Sequence, residues 1–354
     1  MHILSIDKLS EERMDFTVRL LLRQMWKDDR LNYDNIKGQI KQITINDPDL
    51  IWTPDIFFTN EKKGHKYDIT LPNVFIRMSP DGSVLCSRKL SITASCLMDL
   101  KKFPFDKQEC PLKMGAFGFT TEDVTLLWRD YAPVTISRAT HLPLFTLEKF
   151  VTHSGVNNIN TGEYSYLTLI FYLSRTLNHY LLHTYLPCTM LVITSWIPFW
   201  LNKKYLTARL LISIATMLTG ALIIYDQNKM EAKLSYSTCM DCFTGTCLTV
   251  IFISVIETVI VHGLTERESS NEHKDCNTNG DIQKEEHGKI TVVKEWITKK
   301  LPSNANYIDV GARFIIPLVY LVFCIIYFTS VGGYDNDNTT TYYGNRTTET
   351  IVQL

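Results

Sequence analysis

The chain has 354 residues and a formal net charge of −1, since 36 lysine and arginine residues stand against 37 aspartate and glutamate residues. This balance argues against a nucleic-acid-binding protein, which needs a basic excess to neutralise phosphates, and against a disordered acidic protein. Hydrophobic residues make up 45% of the sequence, but the first half is polar with short alternating patterns and the second half contains four long apolar runs. The composition therefore indicates two unlike domains, one of them in a membrane.

Residues 1–175 show the two-residue alternation of half-buried β-strands. Phe16–Trp26 and Ser83–Thr93 are clear examples, and the turn sequence Pro80-Asp81-Gly82 precedes the second of them. No long segment of helical periodicity interrupts these patterns. The sequence predicts an all-β sandwich over residues 1–175.

Four apolar runs follow, each approaching the roughly 20 residues that cross the hydrocarbon core of a bilayer. Buried helices of a soluble protein are the alternative, but four such runs in succession argue against it. The predicted spans are His179–Leu201, Leu206–Tyr225, Thr238–His262 and Val310–Val331. We therefore predict an all-α four-helix transmembrane bundle with these domain boundaries: membrane helices one to three in residues 176–262, a cytoplasmic loop in 263–306, the fourth membrane helix in 307–331, and a tail in 332–354.

Two signals predict the topology. Lys203, Lys204 and Arg209 cluster between the first two runs, and positive charge favours the cytoplasm. The tail carries glycosylation sequons at Asn338 and Asn345, which require an extracellular location. Four spans place both termini on one side, so we expect a multi-pass plasma-membrane protein with extracellular N- and C-termini. Met1–Arg13 is not a signal peptide, and we expect a leader to have been removed or left out of the numbering.

Cys96 and Cys110 enclose thirteen residues that contain Phe103-Pro104-Phe105-Asp106. This segment resembles the signature loop of the Cys-loop receptors, the pentameric ligand-gated ion channels. The resemblance implies a disulfide bond between the two cysteines, in agreement with an extracellular location. On a loop-entropy model this bond adds about 3 kcal/mol to stability.

The resemblance extends over nearly the whole chain. Trp52-Thr-Pro-Asp55 resembles the first binding loop of glycine- and glutamate-gated subunits, and Thr207-Ala208-Arg209 resembles the Pro-Ala-Arg that opens the second membrane helix of anion-selective members. The glycine/glutamate/GABA-type anion-channel branch is therefore the closest. The resemblance implies partnership with four further subunits of the same or a homologous chain, a small-molecule agonist at subunit interfaces, membrane lipid and permeant ions. We predict no enzyme activity, because the sequence contains no catalytic constellation, and we expect no cofactor, metal or nucleic-acid partner.

Several family features are absent. We expect no counterpart of the family's N-terminal helix in the given residues, and the vicinal cysteines of acetylcholine receptors are absent near residue 160. Tyr166 replaces a cysteine of the second disulfide of glycine receptors, and Thr207 replaces the proline before Ala208.

The resemblance also implies two groups of ligand-binding residues. Aromatic faces attract ammonium groups and arginines hold carboxylates. One subunit contributes Phe57, Phe58, Phe117, Phe119, Thr161 and Tyr164, and its neighbour contributes Arg23, Arg77 and Ser87. Because Gly115 and Ile159 stand where relatives place an acid and an aromatic residue, we expect a ligand that is larger, less basic or otherwise unusual. Simple strand packing is the alternative for each phenylalanine.

The second membrane run has the pattern of a pore-lining helix. Leu211, Ala215, Leu218 and Leu222 recur at spacings of three and four on one face, and the resemblance places Thr207 and Ala208 at the inner mouth and Leu218 at the central gate. A ring of leucines closes a pore by dewetting. The positive charge of Arg209, Lys203 and Lys204 favours anions, whereas Asp226 argues for cations. A cation-conducting member of the family and a non-conducting accessory subunit remain alternatives.

Three charged residues are implied to meet at the boundary between the domains: Glu11, Asp106 and Arg175. A buried arginine needs carboxylate partners, because an unpaired buried charge costs several kcal/mol. Cys239 and Cys242 have a metal-like spacing, but no second pair accompanies them, so we predict no metal site.

Overall fold

The computed structural model describes residues 1–34, 41–45, 47–137, 142–202, 205–230, 234–276, 305–332 and 350–353. The described residues form two compact units. The first contains Met1–Leu100, Phe105–Thr176 and the described part of Thr339–Leu354, and the second contains Lys101–Pro104 with the described part of Leu177–Asn338.

The first unit is the predicted β-sandwich. Its strands are β1 His2–Ser10, β2 Asp15–Lys27, β3 Ile43–Ile45, β4 Ile56–Phe58, β5 Glu61–Lys66, β6 Val74–Met78, β7 Ser83–Ser95, β8 Lys107–Ala116, β9 Thr135–Ile136, β10 Phe145–Ile159, β11 Gly162–Arg175 and β12 Thr350–Gln353. Within the described ranges, one sheet has the order β3-β6-β7-β2-β1-β9, with β5 also paired to β7, and the other has the order β12-β10-β11-β8-β4.

Alternating residues of the long strands build the core of the sandwich. Phe16, Val18 and Leu20 of β2 are fully buried, as the period of two requires for a strand with one face inward. The ring of Phe16 meets that of Phe171 from the opposite sheet edge-to-face, with centroids 5.9 Å apart. Such a contact adds to the burial of two large side chains, so this pair joins the two sheets.

Two glycines allow the turns that order these strands. Gly82, in the predicted turn before β7, has a φ of +80°, and a Cβ there would lie 2.6 Å from the Asp28 carbonyl oxygen. Gly162 has a φ of +136° and begins β11 directly after the turn from β10. Both positions require a residue without a side chain.

The second unit contains the four predicted apolar helices, each long enough to cross a membrane. The first span is Asn178–Trp200, and the following helices are Leu206–Met230, Cys239–Cys276 and Ala305–Gly332. The third helix continues past its predicted end at His262, where His262 and Glu266 form an i,i+4 pair with 3.5 Å between nitrogen and oxygen. Glycosylation sites Asn338 and Asn345, the lysines Lys203 and Lys204, and residues 277–304 of the predicted cytoplasmic loop lie outside the described residues.

Candidate ligand and pore sites

An aromatic patch lies on the outward face of the five-stranded sheet. Phe57 of β4 pairs with Gly115 of β8, and its ring meets that of Phe117 edge-to-face with centroids 5.4 Å apart. Phe117 is 70% exposed. A Cβ on Gly115 would make ordinary van der Waals contact with the Phe57 ring, at 3.7 Å, so this position lies directly beside the ring.

The two other phenylalanines are placed differently. Phe58 is 5% exposed, because it follows Phe57 in the strand and points into the core. Phe58 therefore does not share the exposed face of Phe57 in the single chain, and its contact with a ligand stays a prediction. Phe119 is half-buried and its ring packs against Trp52, with centroids 5.8 Å apart.

The β10–β11 hairpin places Thr161 and Tyr164 together. The Tyr164 hydroxyl donates to the Thr161 hydroxyl over 3.2 Å. The sequence interpretation treated Tyr166 only as a missing cysteine, but Tyr166 pairs with Gly115 across the sheet. A Cβ on Gly155 would lie 2.6 Å from the Tyr166 hydroxyl oxygen. Gly115 and Gly155 therefore pair with Tyr166 from the two neighbouring strands. These two glycines are the sequence feature that could have identified Tyr166 as a candidate site residue.

The basic half of the predicted site lies on the seven-stranded sheet. Arg23, Ser87 and Phe75 pair in one row across β2, β7 and β6, and Arg77 lies in the adjacent row on the same face. Arg23 and Arg77 are exposed, and the Arg77 guanidinium carbon lies 5.4 Å from the centroid of the Phe75 ring. Ser87 is only 5% exposed in the single chain, and its contact with a ligand stays a prediction.

The aromatic patch and the exposed arginines, which are the two half-sites of the predicted ligand site, face in opposite directions. Leu22 and Gln24, the neighbours of Arg23, are buried, so Arg23 points outward from its sheet. Phe57 likewise points outward from the other sheet, because its neighbour Phe58 is buried. A single chain therefore cannot bring the arginines and the aromatic patch together.

The structure brings Glu11, Asp106 and Arg175 together inside the first unit. The Arg175 side chain is completely buried, and it donates from Nε to Asp106 Oδ1 over 2.6 Å and from a terminal nitrogen to Asp106 Oδ2 over 3.0 Å. A second terminal nitrogen donates to Glu11. The side-chain amide of Gln108 donates to Asp106 Oδ2 over 2.6 Å. This arrangement gives the buried arginine the charge-assisted hydrogen bonds that it needs.

The predicted disulfide between Cys96 and Cys110 is confirmed, with Cα atoms 5.0 Å apart. The tip of the loop that it closes, Lys101–Pro104, belongs to the second unit. The carbonyls of Lys101 and Phe103 accept the amides of Cys239 and Met240 over 2.9 and 3.1 Å. These amides begin the third helix and have no partner within it, so the loop tip caps that helix.

The predicted pore face of the second helix is exposed in the single chain. Thr207, Ala208 and Ala215 are exposed, as are Leu211, Leu218 and Leu222 at 68%, 62% and 58%. The opposite face carries the buried Ser213, Thr216 and Gly220, and a Cβ on Gly220 would lie 3.4 Å from Leu248 of the third helix. The helix thus packs through small residues and leaves the leucine face uncovered.

Arg209 does not share this face, contrary to its predicted part in a positive ring. Its side chain is 2% exposed and pairs with Asp309 of the fourth helix, with 3.0 Å between a terminal nitrogen and Oδ2. The same terminal nitrogen and Nε donate to the Leu201 carbonyl over 2.9 and 3.2 Å. The helical spacing of residues around Arg209 could not reveal this ion pair, because the Asp309 carboxylate lies 100 positions away in the sequence.

Comparisons with known proteins agree with these features. The neurotransmitter-gated ion-channel ligand-binding domain matches residues 1–177, and the neurotransmitter-gated ion-channel transmembrane region matches residues 184–300. A glutamate-gated chloride channel of Drosophila melanogaster is 41% identical over 273 residues, which cover 77% of this chain and 60% of the relative. The gamma-aminobutyric acid receptor subunit alpha-2 of Homo sapiens is 34% identical over 271 residues, covering 75% of this chain and 59% of the relative.

The chain thus spans about 60% of the length of these relatives. Two family models cover its β-sandwich and much of its helical unit, and this is a family of channels rather than enzymes, as the sequence predicted. With the disulfide-closed loop and the four apolar helices, these matches show that the chain belongs to the neurotransmitter-gated ion channels, the Cys-loop receptor family.

Proposed function

We propose that the chain is a subunit of a pentameric, plasma-membrane, ligand-gated anion channel, opened by a small extracellular agonist that carries a carboxylate. The observation that carries this proposal is the uncovered leucine face of the second helix, since an apolar face on a helix packed through its other side fits a closed fivefold pore. Leu218 then forms the gate, and Leu211 and Leu222 add secondary rings that exclude water.

The N-terminal residues of the second membrane helix support anion selectivity. Ala208 is exposed where cation-selective relatives carry a glutamate, and a helix N-terminus bears a partial positive charge. Arg209 adds little to the field along the axis, because Asp309 neutralises it within the subunit. Asp226 is exposed near the other end of the helix and remains the argument for the cation-conducting alternative.

The agonist class follows from the two half-sites. Arg23 and Arg77 present two cations on one face, which suits a carboxylate, while Phe57, Phe117 and Tyr164 present aromatic groups suited to an amine. The names of the relatives make glutamate and gamma-aminobutyric acid the first compounds to test. Gly115 supplies no acid for an ammonium group, so the carboxylate interaction would dominate affinity.

Assembly is supported by the same half-sites. Because they face outward from opposite sheets, the aromatic patch of one subunit would meet the arginines of the next around a ring. A closed ring of this kind uses the same head-to-tail contact at every interface. Five subunits, identical or homologous, are the number typical of the family.

Extracellular N- and C-termini are supported by the tail strand β12. It pairs antiparallel with β10 of the sandwich, with Lys149 opposite Gln353 and Thr152 opposite Thr350. The chain end after the fourth helix thus belongs to the same unit as the β domain. This agrees with both regions lying on the outer side of the membrane.

Signal transmission is assigned to the Glu11, Asp106 and Arg175 cluster. Arg175 is the last residue of β11, shortly before the first span begins at Asn178, and Asp106 follows the loop tip that caps the third helix. A rigid ion cluster at this point would pass a movement of β11 to the loop.

The experiment is voltage clamp of cells that express the chain alone, with a panel of glutamate, gamma-aminobutyric acid and glycine. We expect agonist-evoked current whose reversal potential follows the chloride gradient. Arg23→Gln and Arg77→Gln should each raise the half-maximal agonist concentration about 10- to 100-fold, since a hydrogen bond to a charged group contributes about 1.5–3 kcal/mol. Arg30→Gln is the matched control, because Arg30 is exposed but pairs with Asp28.

The alternatives give different results. A reversal potential that follows sodium would establish the cation-conducting member. Surface expression without current, restored by co-expression of a homologous subunit, would establish the accessory subunit.

A further inference from the structure

The rings of two histidines lie against each other at the start of the first membrane helix. The ring centroids of His179 and His183 lie 4.4 Å apart with an interplanar angle of 58°, and both residues are exposed. His183 lies within the π-helical turn Leu181–Tyr185. Such a turn is wider than an α-helical one and often marks a functional position, and here it accompanies close approach of two imidazole rings on residues four apart.

We propose that His179 and His183 together bind a divalent transition-metal ion such as Zn²⁺ or Cu²⁺. Imidazole nitrogen is a common ligand of both metals. Two nitrogens that bind one zinc ion at about 2.0–2.1 Å in tetrahedral geometry stand roughly 3.3 Å apart, which these rings reach by small side-chain rotations. Because the described residues contain no group of three or more metal-binding side chains, water or a neighbouring subunit completes the coordination.

The position of the pair connects it to the disulfide-closed loop. The His179 ring contacts the Tyr180 ring, with centroids 5.4 Å apart, and the Tyr180 ring contacts that of Phe103 in the loop tip, with centroids 5.0 Å apart. Phe103 also accepts the amide of Met240 at the start of the third helix. An ion that locks the two histidines therefore restrains Tyr180 beside this contact. The resulting effect on gating rests on the proposed channel function, whereas the binding of the ion does not.

The binding test uses the purified full chain in lipid nanodiscs, without a polyhistidine tag. Cu²⁺ is titrated and followed by electron paramagnetic resonance, and Zn²⁺ affinity is measured by competition with a chromophoric chelator. We expect a Cu²⁺ spectrum with two nitrogen ligands, lost in His179→Gln and in His183→Gln. Each variant should weaken Zn²⁺ binding about 10-fold or more, because even loss of an outer-shell partner of a metal ligand costs about 10- to 100-fold.

The matched control is His65→Gln, because His65 is an exposed histidine of β5 whose ring lies beside Tyr67. It should bind both ions as the wild type does. Size-exclusion profiles establish that each variant is folded. Wild-type affinity in both histidine variants, or an equal loss in His65→Gln, would overturn the site.

Gating is tested separately by current recording. Micromolar Zn²⁺ should shift the agonist concentration–response curve of the wild type and of His65→Gln, but not of His179→Gln. Intact binding of the ion with an unchanged curve would overturn the gating effect and leave the binding site standing.

Discussion

Among the residues that the structure describes, each of the two units buries one arginine, and the two arginines are held in different ways. In the β-sandwich, Arg175 lies between two carboxylates, Asp106 and Glu11, from different parts of the fold. In the helical unit, Arg209 has the single carboxylate of Asp309 and completes its hydrogen bonds with the Leu201 carbonyl. Loss of one carboxylate therefore leaves Arg175 with the other, whereas loss of Asp309 leaves Arg209 with the Leu201 carbonyl but with no carboxylate partner among the described residues.

The largest effect is expected at Arg209 and Asp309. Asp309→Asn leaves a buried cation without a counter-charge, which costs about 3–5 kcal/mol, so we expect nearly complete loss of the protein from the cell surface in biotinylation assays. Arg209→Gln combined with Asp309→Asn removes both charges and should restore part of the surface signal. If single and double variants are equally defective, the ion pair is not the cause.

A second measurement on Arg209 tests whether its charge acts on ion selectivity as well as on stability. Because it is buried against the fourth helix, channels that carry Arg209→Gln with Asp309→Asn should keep the wild-type reversal potential in dilute chloride. A reversal potential that shifts towards that of a cation channel would show that this charge acts on the pore after all.

A smaller effect is expected in the β-sandwich. Glu11→Gln leaves Asp106 to neutralise Arg175, so surface expression should fall less than with Asp309→Asn. The agonist concentration–response curve should nevertheless move to higher concentration, because the ion cluster is weakened where transmission is proposed. An unchanged curve at normal expression would remove Glu11 from the transmission cluster.

The smallest effect is expected at the exposed pair of Asp7 and Arg19. Arg19 donates two hydrogen bonds to Asp7, of 2.6 and 2.8 Å, and this interaction lowers the pKa of the Asp7 carboxyl. The pair stabilises the fold at neutral pH and loses its effect as the pH falls through that lowered pKa. Thermal unfolding of Asp7→Asn should differ from wild type by less than about 1 kcal/mol at neutral pH and converge with it in acid. A loss as large as that of Asp309→Asn would contradict the contrast between buried and exposed pairs.

The difference between the two arginines also shows what the sequence could predict. Strand and span positions were predictable, since alternation and long apolar runs depend on neighbouring residues, as in β2 and the second helix. Family resemblance supplied the partners of Arg175. The partner of Arg209 was missed because a helical pattern contains no information about a contact 100 positions away, and Phe58 and Ser87 were taken for surface residues because a motif does not reveal which face of its strand is buried.

The most direct test of the account is a comparison of two adjacent residues of the second helix. Leu218 is 62% exposed and Met217 is half-buried. Each apolar side chain withdrawn from water contributes about 1.5–3 kcal/mol, so a polar residue in a closed leucine ring should favour a wet, open pore. We predict that Leu218→Ser produces spontaneous current or a leftward shift of the agonist response of roughly tenfold or more, while Met217→Ser acts mainly on expression. Spontaneous current in Met217→Ser with unchanged gating in Leu218→Ser would show that the exposed face does not line the pore.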